Sequence, residues 1–150
     1  MRVFHGIDEV EKAVGEDLGR SEWMEITQER VNLFADATGD HQWIHVDPDK
    51  AKNGPYGTTI AHGYLTLSLL PVLGAKIFSL DGVTMKINYG ANKVRFPAPV
   101  PVGSRIRAGA EFTSLERTAK GANLVVNYTV EVEGGTKPAL VAETVVVLVP

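Results

Sequence analysis

The sequence predicts an α+β fold in which a curved antiparallel sheet wraps around a long central apolar helix. Three observations carry that expectation. Helical signals occupy the chain up to Phe78, and strand-like alternation occupies it from Val83 onward. Residues 62–78 are apolar on every face of a helical cylinder. Helices followed by strands favour an antiparallel sheet over a βαβ wind. A helix that is apolar all round has to be covered on all sides, so the sheet has to curve about it.

The elements follow in order. Residues 8–18 predict a short helix weakened by Gly15, and residues 21–26 a short strand. Thr27 is a good N-cap, because its hydroxyl accepts from a free N–H of the first turn. Val31, Phe34, Ala35 and Thr38 then recur at helical spacing until Gly39 stops the run. Residues 40–46 show no period and read as a loop. Asp47-Pro48 reads as an N-cap and first helical position, with a stop at Asn53-Gly54. In the long helix Pro71 removes a backbone donor, so a bend or break is expected there.

The second half alternates. Val83, Met85, Ile87 and Tyr89 predict one strand with a buried face; Ile106, Ala108, Ala110 and Phe112 predict another; Leu124, Val126, Tyr128, Val130 and Val132 a third. Residues 140–149 are apolar on both faces apart from Glu143 and Thr144, which predicts an interior strand. One such layer leaves its edges unprotected. A homodimer that extends the sheet is therefore expected.

Composition narrows the function. At 150 residues the chain is sized for one domain spanning 1–150, and 44% hydrophobic with 22% charged residues is globular composition. Fifteen Lys+Arg against 18 Asp+Glu leave a net charge of −3, which supplies no cationic surplus for nucleic acid. The absence of cysteine excludes disulfides, thiolate zinc and thiol catalysis, and fits the cytoplasm. No secretory signal is evident. The most apolar stretch, residues 63–75, is shorter than the ~20 residues that cross a bilayer, so no membrane partner is expected.

Titratable residues gather in the unpatterned stretch. Asp40, His41 and His45 lie between two capped helices. A carboxylate and an imidazole turned toward one cavity can hold a water and move its proton near neutral pH. Each also has a plainer explanation: Asp40 as a turn residue bonding its own backbone, His45 as a satisfied core histidine. His41 and His45 are spaced for a metal, but no third ligand presents itself, so no metal is expected. Ile60-Ala61-His62-Gly63-Tyr64 opens the apolar helix, where free N–H groups and the helix dipole would favour an oxyanion at Gly63. A glycine allowing close packing is the alternative, and His62 could simply cap the helix.

Together these residues resemble a known family. Gly39-Asp40-His41-Gln42-Trp43-Ile44-His45, followed by Ala51, is similar to the signature of the (R)-specific enoyl-CoA hydratases in the MaoC-like dehydratase group of the hotdog fold. Ile60-Ala61-His62-Gly63-Tyr64-Leu65 resembles that family's central-helix opening. Asn88-Tyr89-Gly90 and the run from Arg95 to Gly103 resemble its second-half motif. The family usually has Asn then Pro where this chain has Gln42 and Trp43, positions that shape the loop rather than supply proton-handling groups.

The resemblance implies reversible hydration of trans-2-enoyl-CoA to (R)-3-hydroxyacyl-CoA, with Asp40 and His45 as the catalytic pair and the Gly63 N–H as oxyanion donor. It implies no cofactor, coenzyme A being part of the substrate. It places Ile60, Ala61, His62, Asn88 and Tyr89 among the substrate-binding residues, with Lys93 or Arg95 meeting the CoA phosphates. The loop 52–59 is a candidate gate. A hotdog thioesterase and a non-catalytic acyl-binding subunit are the alternatives.

Overall fold

The computed structural model describes all 150 residues. In chain order it comprises β1 (Arg2–His5), α1 (Ile7–Lys12), β2 (Asp17–Arg20), β3 (Met24–Glu25), α2 (Gln28–Thr38), α3 (Trp43–Val46), α4 (Pro48–Lys52), α5 (Gly63–Ser68), α6 (Leu70–Gly74), β4 (Phe78–Asp81), β5 (Met85–Arg95), β6 (Arg105–Thr118), β7 (Gly121–Val132) and β8 (Leu140–Val149). The main sheet is antiparallel throughout and runs β2-β6-β7-β8-β5, with β3 beside β2 on β6. β1 and β4 form a separate parallel pair. The strands β6 and β7 arise where the alternation predicts them, and β8, expected from its two apolar faces, is interior.

One face of the sheet forms the core with the central helical segment. Leu65, Leu69, Leu70 and Leu73 are buried against Ala108, Phe112, Leu124, Val126, Val130 and Ala142. Side chains of a strand alternate between faces, which is why every second residue is buried in β6 from Ile106 to Phe112 and in β7 from Ala122 to Val130.

The caps form as their chemistry dictates. Thr27 Oγ1 accepts from Arg30 N at 3.1 Å, and Gly39 closes α2 in the left-handed region at φ 81°. Asp47 Oδ1 accepts from Lys50 N at 3.1 Å, with Pro48 at the first helical position.

Several expectations are corrected. The central helix is two short helices rather than one long one: the break expected at Pro71 is present and falls at Leu69, dividing the segment into α5 and α6, six and five residues each. Pro71 has no N–H to give the carbonyl of Leu67 four residues back, so one helix cannot run on through it, and the proline instead sits in the first turn of α6, where a missing N–H costs nothing. Nor is the segment buried on all sides, since Tyr64 and Val72 are exposed. The helix expected over 8–18 ends at Lys12, and residues 17–20 become β2. The stretch read as a loop contains the four-residue α3.

β5 is exposed at nearly every position, on both faces, although its alternation predicts one buried face. It is an edge strand paired only with β8, and no helix of the chain covers it. β1 and the β4 strand at Phe78–Asp81 were not expected at all.

Candidate active site

The site is assembled where α3 meets the segment before α5. Residues 59–61 are fixed from two sides. Ile60 N–H donates to Ile44 O at 3.0 Å, Ala61 N–H to Val100 O at 2.8 Å, and Val102 N–H returns to Thr59 O at 2.9 Å. With its backbone so held, Ile60 presents its carbonyl to His45, which donates from Nδ1 at 2.7 Å. A carbonyl only accepts, so Nδ1 carries the proton and Nε2 keeps its lone pair. The α3 backbone is tied from α2 as well: Gln28 Nε2 donates to His45 O at 2.8 Å, and Gln28 Oε1 accepts from the buried Thr59 hydroxyl at 2.6 Å.

His45 is buried, and burial is the main cause that lowers its pKa from 6.5. Neighbouring His62 lowers it further, while the hydrogen bond to Ile60 and the nearby Asp40 oppose the shift. The imidazole is thereby kept in its basic form at neutral pH.

Asp40 is exposed, yet its carboxylate lies close to this ring. Ligand atoms of Asp40, His45 and His62 all fall within 4.8 Å of one another. Short range and different exposure let the pair share one water between a fixed imidazole and an accessible carboxylate. The cluster is a poor cage for an ion. The imidazoles of His45 and His62 stack at 3.9 Å with planes 24° apart, so their in-plane lone pairs lie in nearly parallel planes rather than converging tetrahedrally. His41, the other residue weighed for a metal, turns away to Asp36 at 2.9 Å.

A cavity of about 360 Å³ opens beside His45, lined by Tyr56, Ile60, Ala61, Gly63, Thr66 and the Phe96–Val100 wall, among others. Gly63 therefore shares the cavity with His45. As the first helical residue its N–H has no acceptor within the helix. A six-residue helix carries little macrodipole, so any oxyanion binding there rests on the N–H itself. Gly63 also has a packing reason, since a Cβ would sit 3.1 Å from the Phe96 ring.

The remaining predicted residues divide. Ile60 and Ala61 line the cavity; His62 does not, standing buried behind His45. Asn88 lies in a separate cavity of about 500 Å³ with Leu67, Pro71 and Tyr128. Tyr89 projects among Asn92, Ser114, Glu116 and Asn123, and Lys93 and Arg95 are exposed on β5. Within one chain, none of these four reaches the His45 cavity, because they ride on the free edge strand.

Sequence reasoning missed Gln28 as part of the site, gave Thr59 and Tyr56 only within a candidate gate loop, and gave Phe96 only within the motif run from Arg95 to Gly103. The first two act through contacts far apart along the chain, which spacing does not reveal. The loop bearing Tyr56 is seated on Trp43, whose ring leaves no room for a Cβ at Gly54 (2.9 Å).

A family model for the MaoC like domain matches residues 9–134. The chain belongs to the MaoC-like dehydratase family. Among its relatives, 3-hydroxyacyl-thioester dehydratase Z of Mycobacterium tuberculosis is 58% identical over 97% of each chain. Nodulation protein N of Rhizobium meliloti is 43% identical over 94% of this chain and 89% of its own. The solved (R)-hydratase from A. caviae, described as involved in PHA biosynthesis, superposes with a TM-score of 0.73 at 28% identity, covering 90% of this chain and 96% of that one. The sheet and central helix are thus the hotdog of MaoC-like hydratases.

Proposed function

We propose that this MaoC-like protein is an (R)-specific enoyl-CoA hydratase, adding water reversibly to trans-2-enoyl-CoA. The observation that carries the reading is the His45 geometry. Its Nδ1 is committed to Ile60 O, which leaves Nε2 as the free nitrogen, and a ring nitrogen of His45 lies within 4.8 Å of an Asp40 carboxylate oxygen. The pair holds a water, one member takes a proton from it, and the water oxygen bonds to C3. The displaced π electrons move onto the thioester oxygen, where the Gly63 N–H stabilises the enolate. Return of the proton to C2 completes the addition. Loss of one such oxyanion donor costs about 3–4 kcal/mol of barrier. The names of the relatives, a thioester dehydratase and an (R)-hydratase, support this reaction class.

The reading includes a homodimer. β5 offers an unpaired edge with Ile87 and Tyr89 exposed, and Tyr64 and Val72 stand uncovered on the helices beside the larger cavity. A second copy pairing along β5 would cover these groups and bring Asn88, Tyr89, Lys93 and Arg95 toward the thioester's pantetheine and phosphates.

The test is the purified chain with trans-2-enoyl-CoAs of several lengths. We expect loss of enoyl absorbance without release of free thiol, and an (R)-configured product. Thiol release instead would make it a thioesterase; no reaction would leave an acyl-binding subunit.

A further inference from the structure

We propose that His62 is a positioning residue for Asp40, tying the loop that bears the carboxylate to the back of the His45 ring. The inference rests on the hydration reading above. Asp40 follows the α2 cap and precedes α3, in a stretch with no regular structure. Its main chain takes part in one hydrogen bond, the 2.9 Å bond that His62 Nε2 donates to Asp40 O. Apart from this, only a long 3.4 Å contact from Gln42 N to Asp40 Oδ1 restrains the residue. The acid of the pair would otherwise hang on a free loop, while the base is fixed by α2, α3 and residue 60.

His62 is placed to couple the two. It is 3% exposed, stacks on His45 at 3.9 Å and is backed by Phe34 at 4.9 Å. One ring therefore sets the separation of Asp40 and His45 without touching the cavity that substrate enters. The residue is kept at a cost: its Nδ1 is buried and has no partner. A plain spacer between Phe34 and His45 would be apolar and avoid that orphan nitrogen. The Nε2 donor is what an apolar spacer lacks.

Two substitutions separate the donor from the ring. His62→Phe keeps a stacking ring and loses the donor; His62→Gln keeps an amide N–H that reaches the Nε2 position. We expect His62→Phe to lower kcat by about 10-fold or more with KM nearly unchanged, and His62→Gln to recover most of it. In an Asp40→Asn background, where no carboxylate remains to be placed, His62→Phe should add less than about 2-fold. Where the Phe variant does not fold, His62→Asn replaces it, since its amide is too short to span the gap.

Wild-type kcat in His62→Phe, equal losses in the Phe and Gln variants, or an unchanged penalty in the Asp40→Asn background would each overturn the proposal. Near-normal activity of Asp40→Asn alone would instead remove the hydration reading, so the two failures are distinguishable.

Discussion

Two regions that the sequence marks as functional differ sharply in how they are held. Residues 40–63 are tied together with Gln28 inside one chain: hydrogen bonds link Gln28, His45, Ile60 and Thr59, and a further one joins His62 to Asp40 O. Residues 85–95 have β8 on one side and nothing on the other. The first region is built to keep two reactive groups at fixed separation. The second is an open edge, whose apolar and cationic side chains are left exposed within one chain. In the reading proposed above, proton chemistry draws on groups held within one chain, whereas substrate grip draws on assembly.

The largest effect should fall on the closed region. Asp40→Asn and His45→Gln should each reduce kcat by at least ~100-fold while circular dichroism shows a native fold. Near-normal turnover in either folded variant would deny that residue its role. On the edge, Ile87→Lys should leave the chain monomeric by light scattering and lower activity by about 10-fold, because a lysine opposes edge pairing. A fully active monomer would show the partner to be unnecessary.

A smaller effect is expected farther along the same strand. Lys93→Ala and Arg95→Ala should raise KM for CoA thioesters by about 3-fold, as solvent-exposed ion contacts do. Pantetheine thioesters, which lack the nucleotide phosphates, should show no change. The mildest probe is pH. Because burial lowers the pKa of His45 from 6.5, kcat/KM should hold its plateau at neutral pH and fall only as pH drops below that value. Asp40 favours the protonated imidazole, so residual activity of Asp40→Asn should show a limb displaced to still lower pH.

The contrast also explains what could be read from the chain alone. β6 and β7 were legible because a sheet with one buried face writes that face into every second residue, as in Leu124, Val126, Tyr128 and Val130, and β8 because an interior strand is apolar on both faces. The same pattern misled at Met85, Ile87 and Tyr89: alternation registers a face that will be covered, but not by which molecule. α3 is four residues, too short to display a period, and β1 with β4 is a parallel pair between distant segments. Asp40 and His45 were recognisable by residue type and by resemblance. Their dependence on Gln28, Ile60 O and His62 was not, since those contacts span 17, 15 and 22 positions along the chain.

Ile60 serves the site twice: its peptide oxygen accepts from His45, and the residue lines the cavity that the proposed reading gives to the acyl group. Main-chain geometry survives replacement of one aliphatic side chain by another, so the wall can be recontoured while the base stays aimed. If the cavity holds the acyl group as proposed, single exchanges at position 60 would shift preference toward shorter, longer or branched chains without first surrendering the chemistry.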